Sequence, residues 1–331
     1  MRVIGHLLAI VCVCGTIALG QQPTSAEKAA KVLADARAAL GGEQKLSEVK
    51  TLSTTGRTRR VQGENLVPIE FEMAVELPDK YMRKDEIPAQ ESDPTTNGFN
   101  GDALVQAPPM TPPEPRPGMP APPPAQFETM QKQRVLTTKQ DFARLMLGMF
   151  ATSYSGYPLT FKYIGQAEAP QGKAHVLEAT GGGNFTVRFF VHTETHLPVM
   201  VSWQPPARPA GRGGPMPPGA APGGPARGAP PVSAPGRSTP PVVTPPAGPP
   251  AGAPPSGTAA PVGAAPGAPS APPASAPPEN RLYFADYRDV DGLKLPFRLR
   301  RAVGTDTTEE TTFDRFRINA KIDPRKFEVR K

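Results

Sequence analysis

The sequence predicts a mainly β (α+β) protein built on an antiparallel sheet, and three observations lead to this class. Apolar and polar residues alternate along many short segments, most plainly from Ile69 to Leu77, and a period of two is typical of strands with one buried face. Tight turn sequences such as Gly181-Gly182-Gly183-Asn184 join these segments. Helical spacing occurs in only two places. Strands joined by short turns favour an antiparallel meander over βαβ units.

Residues 1–20 predict a secretory signal peptide. A positive start at Met1-Arg2 precedes an apolar run, and Ala18 and Gly20 place small residues just before Gln21, as a signal peptidase requires. An uncleaved membrane anchor is the alternative, because the apolar run is near the lower length limit for a membrane span. We therefore expect an exported, periplasmic protein, which stays membrane-associated if this segment is retained.

Both cysteines, Cys12 and Cys14, lie inside this apolar segment. The mature chain would thus have no thiol for a disulfide, a zinc site or a nucleophile. The sequence gives no reason to expect a cofactor.

The net charge of +7 is not evidence for nucleic-acid binding. Five of the arginines lie in the signal peptide or in a Pro-rich segment without acidic residues, namely Arg2, Arg208, Arg212, Arg227 and Arg237. The folding part is left with only a small positive excess. It also has no basic stretch with interleaved aromatic residues, so we expect no nucleic-acid partner.

Two Pro-rich segments interrupt the chain, at residues 205–279 and 108–125. Proline removes ladder hydrogen bonds, and the longer segment has almost no large apolar side chains to offset the loss of chain entropy. We predict that residues 205–279 are a disordered linker and that 108–125 are a loop. Residues 21–204 and 280–331 would then form one domain, since closing a long flexible loop adds only about 0.6 kcal/mol per doubling of its length.

The mature chain opens with a predicted helix. Thr24 and Glu27 have the spacing of a capping box, apolar residues recur at helical spacing up to Leu40, and Gly41-Gly42 ends the helix. A second helix is predicted to start at Thr138. Its stripe of large apolar residues consists of Phe142, Leu145, Met146, Met149 and Phe150.

Strands are predicted from the alternation of apolar and polar residues. They cover Leu52–Val61, Ile69–Leu77, Lys80–Ile87, Thr95–Val105, Leu159–Ala167, Lys173–Ala179, Phe185–Val191, Leu197–Trp203, Arg281–Val290, Leu293–Val303 and Thr307–Ile318.

No polar motif indicates catalysis or metal binding strongly. His192-Thr193-Glu194-Thr195-His196 has metal-ligand spacing for a strand, but its position between two predicted strands favours a hairpin connection. Gly181-Gly182-Gly183-Asn184 is not followed by a helix, so a hairpin is favoured over a phosphate site. Ser153-Tyr154-Ser155-Gly156 would need a base, and only His175 could serve. Glu70, Glu72 and Glu76 share one strand face, which favours a solvated surface.

The apolar strand faces are the candidate ligand-binding surface. For any one residue a packed core is the simpler interpretation. A broad one-sided sheet with few helices nevertheless leaves apolar area that must meet a ligand or a partner. The candidates for an apolar cavity are Phe71, Met73, Val75, Phe142, Met146, Met149, Phe185, Phe189, Trp203, Phe297 and Leu299.

Several segments resemble those of periplasmic outer-membrane lipoprotein-sorting proteins of the LolA/LolB type. They are Leu40-Gly41-Gly42, Asn97-Gly98-Phe99-Asn100-Gly101-Asp102, Thr195-His196-Leu197-Pro198-Val199, the stretch from Tyr287 to Pro296, and the C-terminal stretches Phe313–Asn319 and Asp323–Phe327. The resemblance implies a curved sheet or half-barrel whose concave apolar face takes acyl chains beneath a lid of helices.

Three functions follow as hypotheses. The first is a non-enzymatic periplasmic carrier or chaperone for a lipid or the acyl chain of a lipoprotein, acting as a monomer with an envelope or outer-membrane partner. The second is a structural or interaction protein of the envelope, in which the apolar face is a filled core and the Pro-rich arm spans a layer or binds a partner. An envelope hydrolase is the third, and it would need a nucleophile, a base and an orienting group in one cavity.

Overall fold

In the computed structural model, the described residues are 23–88, 90–112, 123–169, 172–205 and 278–328. The predicted signal peptide and most of both Pro-rich segments lie outside them, so the signal-peptide and linker predictions stay predictions. The helices are α1 (Ser25–Leu40), α2 (Glu43–Ser47) and α3 (Pro124–Phe150), with a short 3-10 helix at Pro324–Phe327. The strands are β1 (Thr51–Gln62), β2 (Asn65–Glu76), β3 (Lys80–Glu86), β4 (Thr95–Asn100), β5 (Ala103–Ala107), β6 (Thr160–Ala169), β7 (Gly172–Gly181), β8 (Phe185–His192), β9 (Pro198–Trp203), β10 (Asn280–Val290), β11 (Leu293–Val303) and β12 (Asp306–Ile318).

All twelve strands belong to one antiparallel sheet. Their order is β5-β4-β3-β2-β1-β12-β11-β10-β9-β8-β7-β6, so β5 and β6 are the two edges and the sheet is not closed within the described residues. The predicted mainly β fold class, with an N-terminal helix and a second covering helix, is confirmed.

The last three strands occupy the middle of this order. β12 pairs with β1, where Thr58 lies opposite Thr311, and β10 pairs with β9, where Tyr283 lies opposite Met200. Strands from the two sides of residues 206–277 therefore share one hydrogen-bonded ladder. Without β10–β12, the strands β1–β5 would have no connection through the sheet to β6–β9.

Helix α1 begins as the sequence predicts. The Glu27 backbone N–H donates to Thr24 Oγ1 over 3.2 Å, and the Thr24 N–H donates to Glu27 Oε2 over 2.7 Å, which completes the capping box. The helix ends at Gly41, whose φ of 133° favours glycine. A Cβ on Gly41 would also come within 2.5 Å of the Gly292 carbonyl oxygen, so glycine allows the helix end to approach the β10–β11 turn.

Helix α3 is longer than the sequence predicted. It begins at Pro124, where proline suits the first helical turn, so the predicted loop 108–125 ends two residues too late. Thr138 is not the N-cap but a buried residue inside the helix, and its hydroxyl donates to the Arg134 carbonyl. The first half of α3 is polar and exposed, which explains why apolar periodicity did not reveal it.

The predicted strand Thr95–Val105 is two strands instead of one. Gly101 has a φ of 58° and lies in the two-residue turn between β4 and β5, where Asn100 pairs with Ala103. The Gly101-Asp102 dipeptide is thus a hairpin turn.

One apolar layer lies between the sheet and the helices α1 and α3. It contains the inward residues of the strands together with the buried stripes of both helices, such as Leu33 and Met149. On the opposite side of the sheet, which we call the outer face, a smaller cluster joins Ala74 and Met82 to Phe327 of the 3-10 helix. The structure therefore has one buried face and one largely polar face.

The position of β10–β12 gives a first prediction. Deleting residues 279–331 should abolish cooperative unfolding of the remainder, because the central strands of the sheet would be lost. Shortening residues 206–277 to about half should change the free energy of unfolding by less than about 1 kcal/mol, since loop closure depends weakly on length. Urea titration followed by circular dichroism measures both. A truncated chain that melts cooperatively at the wild-type midpoint would contradict the prediction.

Candidate functional site

The polar motifs of the sequence lie in turns, as predicted. β8 ends at His192 and β9 begins at Pro198, so the histidine-containing stretch is a hairpin connection. The backbone N–H of Thr195 donates to His192 Nδ1 over 3.1 Å, which uses this ring nitrogen within the turn. Gly181–Asn184 joins β7 to β8, and Gln140 of α3 donates to the Gly183 carbonyl. The hairpin interpretation of both motifs is confirmed.

The remaining polar candidates do not converge. Glu70, Glu72 and Glu76 lie on the outer face, and each has a basic neighbour; Glu76 Oε1, for example, is 2.8 Å from Lys80 Nζ. His175 Nδ1 is 3.4 Å from the Tyr163 hydroxyl on β6. Among the described residues, no group of three or more His, Cys, Asp or Glu side chains could hold a metal ion.

The predicted cavity residues all belong to the apolar layer between the sheet and the helices. Ten of the eleven are buried, and Trp203 is half-buried: Phe71, Met73, Val75, Phe142, Met146, Met149, Phe185, Phe189, Phe297 and Leu299 are at most 9% exposed. The structure brings them together in one cluster. Most of them contact other side chains and not open space, so their role as ligand contacts stays a prediction.

Helix α3 covers this layer by crossing from one side of the sheet to the other. Lys139 Nζ is 2.6 Å from Asp102 Oδ1 in the β4–β5 turn, and the Tyr287 hydroxyl of β10 donates to the Gly148 carbonyl over 2.8 Å. Close packing needs Gly148, because a Cβ there would lie 1.9 Å from the Phe284 ring. The helix is thus fixed by a few polar contacts and by apolar packing.

Arg144 is the one arginine on the buried side of α3. It is 8% exposed, its guanidinium lies 4.2 Å from the centre of the Trp203 ring, and it donates to Asp141 Oδ1 over 2.7 Å. Burial lowers the pKa of this guanidinium from its ordinary value. Its Nε has no hydrogen-bond partner among the described residues. Arg144 therefore adds a desolvated positive charge to the underside of the helix.

A cavity of about 50 Å³ lies between α3 and the sheet, with Asp141 and Leu145 on its helix side. Its walls include Met73, Leu299, Arg83 and Arg301. Burial also raises the pKa of the Tyr81 hydroxyl in this wall to about 12, so the group is neutral at ordinary pH. This cavity has room for water but not for an acyl chain.

A larger cavity of about 360 Å³ opens at one end of the apolar layer, and we call it the end pocket. It lies where α1 and α2, the β2–β3 turn and the C-terminal end of α3 meet. Its apolar wall consists of Leu46, Val49, Leu77, Met146 and Phe150. Its volume is within the range of known small-molecule sites.

The rim of the end pocket is polar. Arg37 forms an ion pair with Glu43, which also lines the pocket, and donates to the Ala151 carbonyl. Lys50 lines the rim on the other side, is exposed, and has no ion pair among the described residues. Ser153 and the neighbouring hydroxyl residues complete the opening. The pocket therefore combines an apolar wall with a rim that carries an unneutralised cation.

Of the predicted cavity residues, Met146 is the one that lines the end pocket. The sequence reasoning missed Arg37, Lys50 and Leu77 as site residues. They come from the last turn of α1, the residue before β1 and the β2–β3 turn, and the pairing of strands and the packing of α1 place them around one pocket. Two residues of the apolar wall, Met146 and Phe150, belong to the predicted apolar stripe of the second helix.

No family model matches the sequence, and no curated protein matches it. Among the described residues, none of the helices is long and apolar enough to span a membrane.

Similar solved structures do exist. The chain is similar to a DUF1329 family protein from Desulfovibrio piger, at 8% identity and a TM-score of 0.45, with 92% of this chain and 98% of that chain covered. It is similar to a LolA superfamily protein from Nitrosomonas europaea, at 9% identity and a TM-score of 0.43, covering 93% and 98%. A further match is a putative outer membrane lipoprotein-sorting protein domain from Vibrio parahaemolyticus, at 8% identity and a TM-score of 0.40, covering 90% and 97%.

Proposed function

We propose that the protein is a non-enzymatic periplasmic carrier for a lipid or for the acyl chain of a lipoprotein. The acyl chain enters at the end pocket. The observation that carries this proposal is the pocket itself: a cavity of about 360 Å³ that has Arg37 and Lys50 at its rim and an apolar wall that includes Met146 of the buried layer. An amphipathic ligand with an acyl chain and an anionic or polar head matches both parts. A transfer partner in the envelope would complete its role.

The apolar layer is suited to rearrangement where it adjoins the pocket. Met146 and Met149 of α3 have flexible, unbranched side chains that adapt to different neighbours. A chain longer than the pocket would have to displace these side chains from the sheet. Few polar contacts anchor α3, and in one of them, the Lys139–Asp102 ion pair, the Asp102 carboxylate is exposed to solvent. Displacement of the side chains would therefore cost mainly apolar packing, which the acyl chain of the ligand would restore.

The first test adds a charge to the pocket wall. Met146→Glu should weaken binding of a fluorescent fatty acid by at least about tenfold, because burying an unpaired carboxylate costs several kcal/mol. Met130→Glu is the matched control, since Met130 is on the same helix but 40% exposed. We expect wild-type affinity for this control. Fluorescence titration measures both.

A second variant covers the case in which Met146→Glu fails to fold. Ser153→Phe should fill the opening with an apolar ring and reduce binding without burying a charge. If the parent protein binds no fatty acid, the carrier hypothesis is wrong, and the hypothesis of a structural or interaction protein of the envelope replaces it. If it binds but none of the pocket variants weakens binding, the assignment to the end pocket is wrong.

Another prediction separates filled core from pocket wall. Phe189 is fully buried on β8, and Phe189→Ala should cost roughly 3–5 kcal/mol of unfolding free energy, because its neighbours can close only partly over the void. Phe150→Ala should cost distinctly less, since Phe150 borders existing space. Of these two variants, we expect only Phe150→Ala to change the affinity for the fatty acid. Urea titration and fluorescence titration of both variants test this, and equal effects at the two positions would contradict it.

A further inference from the structure

Arginine side chains are concentrated on the outer face of the sheet, on the side away from the end pocket and α3. They lie on β1, β11 and β12, and we call this surface the arginine face: Arg57, Arg59, Arg298, Arg300, Arg315 and Arg317. The register proves the shared side. Thr311 pairs with Thr58 on one side and with Leu299 on the other, and all three side chains are buried on the inner face of the sheet. The neighbouring Arg57, Arg59, Arg298 and Arg300 therefore point outwards. Arg315 and Arg317 lie beyond a register shift, on either side of the buried Phe316, and so share the outward side.

The carboxylates nearby do not neutralise these arginines. Arg57 Nε is 3.9 Å from Glu70 Oε1, and Arg298 Nη2 is 3.5 Å from Glu310 Oε1. Both pairs are solvent-exposed, where ion pairs contribute little.

The positive charges of the other arginines on this face are neutralised even less by carboxylates. No described carboxylate lies within ion-pair distance of Arg59, Arg315 or Arg317, and Arg300 packs over the Tyr283 ring at 4.3 Å. Glu72, which lines a shallow depression with Arg315 and Arg317, is already bound by Lys326. Asp314 of β12 also lies on this side and lines a depression with Arg57 and the carboxylates of β2 and β3. The six arginines of β1, β11 and β12 still outnumber the two carboxylates of these strands on the outer face, Glu310 and Asp314, so the excess positive charge belongs to these three strands.

The arrangement fits a surface of anionic groups and not a single small anion. Adjacent strands are about 4.8 Å apart, so guanidinium groups spread over three neighbouring strands cover an area rather than converging on a point. Each planar guanidinium can bind a phosphate through two parallel hydrogen bonds. Many phosphates in one plane are the partner that this geometry matches.

The end of the arginine face is apolar. Val61 follows Arg57 and Arg59 in the same outward row and is 44% exposed, and it pairs across the strand with Leu66, which is 64% exposed. Apolar side chains beside arginines suit the boundary between lipid headgroups and acyl chains better than the surface of an acidic protein.

We propose that the arginine face is a docking surface for membranes that contain anionic phospholipids. This inference is independent of the end pocket, because the two surfaces lie on opposite sides of the sheet. Electrostatic attraction contributes roughly fivefold in affinity for each basic residue near such a surface.

The test uses the full chain and vesicles of equal parts phosphatidylglycerol and phosphatidylcholine, with pure phosphatidylcholine vesicles for comparison. We expect binding to the anionic vesicles only, reduced by high salt, which screens exposed charges. The double variant Arg59→Gln/Arg300→Gln should bind roughly 25-fold more weakly, from two such residues. Co-sedimentation at a series of lipid concentrations measures the change.

Two controls separate charge at this face from other effects. Lys28→Gln/Lys132→Gln removes the same charge from exposed positions on α1 and α3 and should leave vesicle binding unchanged. Arg59→Lys/Arg300→Lys keeps the charge and should restore most of the binding. Melting curves verify that each variant folds.

Three outcomes would overturn the proposal. They are equal binding to both vesicle types, equal loss in the Lys28/Lys132 variant, and retention on a polyglutamate resin with no vesicle binding, which would indicate an acidic protein partner instead. Fatty-acid affinity in the Arg59→Gln/Arg300→Gln variant should match the wild type, so a failure of docking is distinguishable from a failure of the carrier function.

Discussion

The structure depends on the burial of one face of a very broad sheet by very few helices. A twelve-stranded sheet exposes more apolar area on its inner side than α1 alone could cover, and α3 supplies most of the remaining cover. That burial is the largest favourable contribution to folding in such an arrangement, because it scales with the apolar area removed from water. The length of α3 and its crossing from the β4–β5 turn to β10 follow from this need.

The same constraint explains where space remains. Along its C-terminal half, α3 packs closely, as the Gly148–Phe284 approach and the buried Phe142 indicate. At its C-terminal end the helix stops at Ala151, which adopts the left-handed conformation, and the chain turns away. The end pocket is the volume between this helix end and the α1–α2 corner. No additional loop or helix is needed to form this pocket, because it lies where α3 ends and no longer covers the sheet.

Much of the fold could be predicted from the sequence because strands and caps are local signals. The alternation around Phe71 and Met73 and the Thr24–Glu27 capping box each specify an element without reference to distant residues. The pairing of β9 with β10 is different, since residues 206–277 separate them and nothing local specifies the partner. The beginning of α3 was also missed, because its first turns are polar and exposed.

The candidate site was predictable only in part, for a related reason. The sequence indicates which side chains are apolar and which face they share, and it therefore found Met146. It does not indicate which of them border space. Arg37, Lys50 and Leu77 become neighbours only through the tertiary arrangement: the Leu77 N–H donates to the Lys50 carbonyl, and Arg37 reaches the Ala151 carbonyl at the end of α3. A packed residue and a pocket residue have the same pattern in a sequence.

The period of two in β-strands also separates the surface proposed to bind a ligand from the surface proposed to dock on membranes. In β1, Thr58 points into the buried layer, whereas Arg57 and Arg59 point outwards. In β11 the same holds for Leu299 between Arg298 and Arg300. Adjacent residues of one strand thus point to opposite faces of the sheet. Substitutions on one face leave the packing of the other face intact. The proposed ligand contacts and the proposed docking surface can therefore change independently, although the same strands encode them.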